Sequence, residues 1–201
     1  LTKARSYKET GLKRNEDEFA ALSGIPMPRK VYREENTIFF YDELDVESLY
    51  IMKKHMREIL RDRRYDHVNI VLDSFGGLPC AVYDFLKAYP LRKIGFVEGY
   101  CCSGATTILL GCDEKYMAPS SLVLIHSYQG PGEEHVKEGS ARDDHLNTVK
   151  QNDTLRRIYK KETRIPPKEL ETFMSDRERF LNAEECLRWK IIDGVRVFVG
   201  E

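Results

Sequence analysis

Apolar and polar positions along this chain fall into blocks whose period changes from one segment to the next. Residues 37–41 (TIFFY) form a β-branched and aromatic run, which predicts a buried strand. Residues 46–63 then set Val46, Leu49, Tyr50, Met56, Ile59 and Leu60 near helical spacing, with Lys and Arg on the other side. Residues 67–72 (HVNIVL) read as a second strand, 80–89 as a helix ended by Pro90, and 93–97 as a third strand. Gly99 leads into a short apolar helix over 103–111, and residues 115–118 and 121–125 read as strands around a Pro119-Ser120 turn. Residues 140–161 predict a polar helix with a thin stripe at Leu146, Val149, Leu155 and Ile158, exposed on most faces. Pro166-Pro167 opens another helix at a turn where a missing N–H costs nothing. A short strand at 179–181, a helix at 183–189 and a last strand at 195–199 complete the pattern. Strands alternating with helices of this length point to βαβ units, an α/β fold and a mainly parallel sheet.

Residues 1–35 differ. They are dense in charge, carry the turn signals Gly24, Pro26 and Pro28, and lack sustained periodicity. They read as an N-terminal arm with a short helix near 17–22, and residues 36–201 as one globular domain. The 201 residues suit a single domain with a sizeable core. Lys+Arg number 32 against 33 Asp+Glu, a net charge of −1, so no charge excess argues for nucleic acid or anionic membrane as the main partner. No apolar run approaches the ~18–20 residues of a membrane span, and residues 1–18 contain no signal-peptide core. Five cysteines (Cys80, Cys101, Cys102, Cys112, Cys186) include no CxxC pair, and four sit in apolar segments. They read as buried small hydrophobes in a reducing compartment rather than as disulfides or a zinc site.

Three features lie just past predicted strands, where open α/β sheets gather their ligand sites. Asp73-Ser74-Phe75-Gly76-Gly77 joins a strand to a helix. Its glycines allow either a tight turn or a close approach of substrate to main-chain N–H groups. Gly99-Tyr100-Cys101-Cys102-Ser103-Gly104 sets a serine at a helix start, where it can be an N-cap or a nucleophile facing an oxyanion donor. It is not a G-x-S-x-G elbow, because Cys101 stands at the first glycine position. Leu122-Val123-Leu124-Ile125-His126 delivers an imidazole to the mouth of the sheet, as a structural residue or as a general base needing an orienting carboxylate. The other histidines (His55, His67, His135, His145) read as ordinary solvated residues.

The segments DSFGG, GYCCSGATTILLG, APSSLVLIHSYQG and RERFLNAEECLRWKIIDGV, in this order, resemble the proteolytic subunit of the Clp protease, the ClpP family of serine peptidases. The resemblance covers residues 36–198, and its C-terminal run is the most specific piece. It implies the ClpP/crotonase-like fold of stacked ββα units with a protruding handle helix at about 140–161. It further implies a triad with Ser103 as nucleophile and His126 as general base, then acid. Glu178 matches the family's aspartate, a departure by one methylene, and Asp176 two residues earlier is its rival. The oxyanion donors map to the N–H groups of Gly77 and Gly104. Gly104 replaces a larger residue usual in ClpP and resembles the Ser-Gly pair of signal peptide peptidase A relatives. Phe75 replaces a proline, and the stretch after Gly77 is about three residues short. An extended peptide would pair with residues 77–79 and 127–130, so Leu78, Ser127 and Tyr128 are the expected substrate contacts, with Pro79 withholding one N–H.

By the same resemblance, the chain is expected to be a cytoplasmic endopeptidase without metal or organic cofactor. It would assemble as a homo-oligomer of two stacked heptameric rings, a tetradecamer, with an ATP-dependent unfoldase as the partner its N-terminal region would meet. Neither nucleic acid nor membrane is expected as a partner. Three alternatives stand beside this reading: a phage or prophage head-maturation protease, a catalytically silent subunit of a mixed ring, and an acyl-CoA hydratase of the crotonase fold.

Overall fold

The computed structural model describes residues 31–78, 82–128, 141–175 and 178–200. Eight strands and six helices occur among the described residues. The strands are β1 (Val31–Glu34), β2 (Thr37–Phe40), β3 (His67–Ser74), β4 (Arg92–Cys102), β5 (Glu114–Met117), β6 (Leu122–Leu124), β7 (Phe180–Leu181) and β8 (Gly194–Val195). The helices are α1 (Val46–Arg61), α2 (Tyr83–Ala88), α3 (Ala105–Gly111), α4 (Ala141–Glu162), α5 (Pro167–Phe173) and α6 (Ala183–Arg188). One sheet runs β1-β2-β3-β4-β5-β8, with β6 joining β4 and β7 joining β6. Among the described strands, only β1–β2 and β6–β7 pair antiparallel; the rest is parallel, as the alternating pattern predicts. The helix expected near 17–22 lies outside the described residues, whereas residues 31–34 of the expected arm form β1 and pair with β2.

Helix α1 shows how the parts are specified. Asp45 caps it, accepting the Ser48 N–H at 2.7 Å, while the Ser48 hydroxyl accepts the Asp45 N–H at 3.0 Å, a reciprocal capping box. Leu49, Met52, Met56 and Ile59 recur at three- and four-residue spacing and are buried. Val46 (77% exposed) and Tyr50 (65%) were expected on the core side and are not there. At 100° per residue they fall on the flank turned away from the sheet. Met52, absent from the expected set, takes the place between Leu49 and Met56.

The largest departure from the sequence pattern is β4. Gly99 reads as a break after residue 97, yet the strand continues to Cys102. Its first half pairs with β5 and its last three residues with β6, and the register against β3 jumps between Leu72↔Val97 and Ser74↔Cys101. Gly99 leaves room at this irregularity for the Asp73 carboxylate, which a Cβ there would meet at 2.5 Å and displace. Asp73 in turn accepts the Tyr100 N–H at 2.8 Å, fastening the bend. The last strand is correspondingly shorter than expected, since only Gly194–Val195 pairs. Beyond it Phe198 packs on Phe39 and Phe96.

Helix α4 is amphipathic in sections. Leu146 and Val149 are exposed, whereas Leu155, Ile158 and Tyr159 are buried against the domain. Its second half is anchored beside α3. Among the described residues no helix is long and apolar enough to cross a membrane. Cys101, Cys102, Cys112 and Cys186 are buried free thiols, as their apolar settings predict.

Candidate active site

Ser103 follows the last residue of β4 and has φ +51°, a left-handed conformation uncommon for a side chain with a Cβ. Strain of this kind costs about 1–3 kcal/mol and persists only where the surroundings impose it. They do so here: the Ser103 N–H donates to Leu124 O at 2.8 Å, tying the turn to the end of β6. The serine does not open the helix, as the sequence suggests. Gly104 is the N-cap, Ala105 the first helical residue, and no side chain caps the helix. The chain reverses so sharply from strand to helix that Ser103 sits on the turn itself, half-buried.

The glycine pair after β3 lies directly against this turn. Gly76 and Gly77 have φ +107° and +131°. A Cβ on Gly76 would stand 2.6 Å from Cys102 O and 2.7 Å from Ser103 Cβ, so only glycine allows the approach. A Cβ on Gly77 would run into the Leu44 backbone, and one on Gly104 would meet Gly77 O at 2.7 Å. Three backbone segments therefore touch with no side chain between them.

Hydrogen bonding sorts the donors in this contact. Ser74 Oγ donates to Asp42 O at 2.6 Å and accepts the Gly76 N–H at 3.2 Å, so that amide is committed. Gly77 forms a parallel bridge with Leu44, made by Leu44 N–H to Gly76 O (2.6 Å) and Leu78 N–H to Leu44 O (2.7 Å). In such a bridge the bonds belong to the residue's neighbours, and its own N–H points the opposite way. For Gly77 that direction is away from Leu44, on the side where its carbonyl abuts Gly104. Neither the Gly77 nor the Gly104 N–H has an acceptor among the described residues.

His126 reaches the same place by strand register. β4 and β6 run parallel with Tyr100↔Leu122, Cys101↔Val123 and Cys102↔Leu124. Ser103 thus lies one residue, and His126 two residues, beyond a matched pair of strand ends. The imidazole is half-buried, and its Nδ1 is buried without a hydrogen-bond partner among the described residues. β7 runs antiparallel to β6 with Val123↔Leu181 and Leu124↔Phe180. The same register carried two residues further sets Glu178 opposite His126. Glu178 is exposed, and its charge is felt nearby. Burial pushes the Cys102 thiol up to about 11, the charges of Asp73 and Glu178 adding to the rise against a backbone hydrogen bond from Leu124. Asp176, the rival acid, lies outside the described residues, as does Pro79.

Leu78 is exposed beside the glycine turn, and Ser127 and Tyr128 are half-buried after His126. Phe75, exposed in place of a proline, stacks on Tyr100 at 4.8 Å, and Phe180 meets Tyr100 edge-on at 6.1 Å. These rings join the glycine loop, β4 and β7. No spacing in the sequence signals them, because each comes from a different segment.

A family model described as Clp protease matches residues 27–197. The chain belongs to the Clp protease family. A ClpP1 point mutant from Listeria monocytogenes superimposes with a TM-score of 0.69 at 16% sequence identity, over 82% of this chain and 93% of that one. At that identity the likeness shows a shared fold. A ClpP-type peptidase fold is thus what the four quoted motifs imply and what the chain adopts, including a sheet that runs mostly parallel and the long helix α4.

Proposed function

We propose that this Clp protease family member is a serine endopeptidase that works through Ser103, His126 and Glu178. The observation that carries the reading is Ser103 itself. It is a left-handed serine just past the register-matched ends of β4 and β6, with the amides of Gly77 and Gly104 in the adjoining turns and without an acceptor among the described residues. In the proposed reaction Ser103 Oγ attacks the scissile carbonyl carbon while its proton passes to His126. The carbonyl oxygen takes up the negative charge between the two amides, a stabilisation worth ~10²–10³ in rate per donor. His126 then returns the proton to the departing amine. Water, deprotonated by the same imidazole, resolves the acyl-enzyme and restores the serine.

With Nε2 acting as the base, the buried Nδ1–H of His126 needs an acceptor, and the β6–β7 register, carried two residues past its last pair, supports Glu178 in that role. Its extra methylene gives it the reach to turn inward from its exposed position. The substrate would lie extended past Leu78 on one side and Ser127 and Tyr128 on the other. Family membership supports an oligomeric chamber, proposed as two stacked heptameric rings, and an ATP-dependent unfoldase as partner. The buried free thiols fit a reducing, cytoplasmic setting.

The test is labelling of the assembled protein with a fluorophosphonate, alongside cleavage of unstructured peptides. An adduct on Ser103, with both labelling and cleavage lost in Ser103→Ala, is the expected outcome. Folded, assembled protein that takes no label on Ser103, or cleavage that survives the substitution, overturns the reading.

A further inference from the structure

Helix α4 reaches both arms of the proposed site with side chains outside the triad. Asn152 is buried on an otherwise polar stretch of the helix. Its Oδ1 accepts the Tyr128 N–H at 2.7 Å, and its Nδ2 donates to Tyr128 O at 3.0 Å. Both main-chain polar atoms of a residue two positions after His126 are thus held by one amide. Two turns along α4, the hydroxyl of the buried Tyr159 lies 2.6 Å from Thr106 Oγ1, which lies 2.6 Å from Ser103 O. Thr106 has a single hydroxyl proton, and the Ser103 carbonyl can only accept it. Tyr159 is therefore the donor to Thr106, and the chain of bonds runs Tyr159 O–H to Thr106 O–H to Ser103 C=O.

We infer that Asn152 and Tyr159 are positioning residues through which helix α4 sets the His126 arm and the Ser103 turn relative to each other. The inference rests on the peptidase reading above. A left-handed serine has to be imposed from outside, and a bond to its own carbonyl is a direct means of imposing it. A histidine on the segment after a three-residue strand gets little definition from β6 alone, and the Asn152 clamp supplies it. Because one rigid helix carries both contacts, displacing α4 moves imidazole and hydroxyl out of line together. Misplacement of reacting groups by about 1 Å can cost ~10²-fold in rate.

The experiment compares Tyr159→Phe, Thr106→Val, Thr106→Ser and Asn152→Leu in the full-length assembled protein. Readouts are kcat and KM on a fluorogenic peptide and the rate of fluorophosphonate labelling at Ser103. Tyr159→Phe, Thr106→Val and Asn152→Leu are each expected to lower kcat and labelling rate by about tenfold to hundredfold, with KM within about twofold. Thr106→Ser, which keeps the hydroxyl, should recover most of the loss. The Tyr159→Phe/Thr106→Val double variant should lose no more than either single one, because the bonds act in series. A merely structural role would instead lower the melting temperature and leave labelling of folded protein unchanged. That result, or independent additive losses, overturns the inference. Should Tyr159→Phe fail to assemble, the Thr106→Val and Thr106→Ser pair decides alone. Wild-type protein that labels and cleaves while every variant matches it sinks this inference only; wild-type protein that takes no label on Ser103 sinks the peptidase reading and this inference with it.

Discussion

The serine side and the acid side of the candidate site are built by different means. Ser103 stands at the end of an eleven-residue strand in the middle of the sheet, and α3 behind it is buried at every residue. Gly76, Gly77 and Gly104 let neighbouring backbones approach until no Cβ fits. Glu178 instead precedes a two-residue strand that pairs with β6 and is exposed, and the Nδ1 of His126 has no partner among the described residues. Backbone packing can fix the position of an amide or a Cα to a fraction of an ångström. A carboxylate on a flexible, solvated stem has no such constraint until a partner holds it. The serine half is therefore set by backbone packing, and the proposed acid half rests on an exposed side chain.

Gly77→Ala should break this contrast most severely. The new methyl collides with the Leu44 backbone at a φ closed to alanine. A loss of roughly 2–4 kcal/mol in unfolding free energy is expected from strain and overpacking, with peptidase activity falling beyond it. Chemical denaturation and a peptidase assay on the same sample measure both. Activity and stability at wild-type level would show that the serine half is not rigid.

Glu178→Gln is the complementary case. An exposed carboxylate contributes little to stability, so the unfolding free energy should hold within about 0.5 kcal/mol. The rate should fall about 10²–10⁴-fold, because a neutral amide orients the imidazole poorly and does not stabilise its cation. A Glu178→Gln protein at the wild-type rate, with Asp176→Asn abolishing activity, would move the acid two residues upstream.

The smallest effect concerns the far end of β4. Lys93, buried, reaches Asp113 Oδ2 at 2.8 Å, and its ammonium also donates to Tyr89 O and Leu91 O at 3.2 Å. Burial alone would raise the Asp113 carboxyl, but the Lys93 hydrogen bonds and charge outweigh it and hold it below the ordinary carboxylate range. A depressed folded value means stability that is present above the unfolded pKa of ~3.9 and lost as pH falls through the lower folded value. Asp113→Asn should cost under about 1 kcal/mol at neutral pH, since the carboxylate is partly solvated. The gap to wild type should close in thermal melts below about pH 4. Peptidase activity should not change, as this end of the strand only anchors it.

Much of this arrangement is legible in the chain. The alternation of β-branched runs with amphipathic stretches predicts the parallel sheet and nearly every helix. The motifs around Gly77, Ser103, His126 and Glu178 point to the family. What escapes the pattern is whatever depends on two segments at once. Gly99 reads as a break because its neighbour Asp73 lies in another strand, and so the pattern ends β4 at residue 97. Val46 and Tyr50 read as core because periodicity alone does not say which of two flanks meets the sheet. Asn152 reads as solvated because its partner is the backbone of Tyr128, remote in sequence. Phe75, Tyr100 and Phe180 carry no common spacing.

Residue order was enough to specify the local elements, their succession and the residue types available for chemistry, since these rest on periodicity, turn preference and composition within a few neighbours. Packing settled the rest: that Ser103 is left-handed, that the Gly77 amide rather than the Gly76 amide has no acceptor among the described residues, and that β6 and β7 pair antiparallel in the segments next to His126 and Glu178. Each of these follows from hydrogen bonds and contacts between strands far apart in the chain, and no local pattern encodes a distance between two segments before they pack.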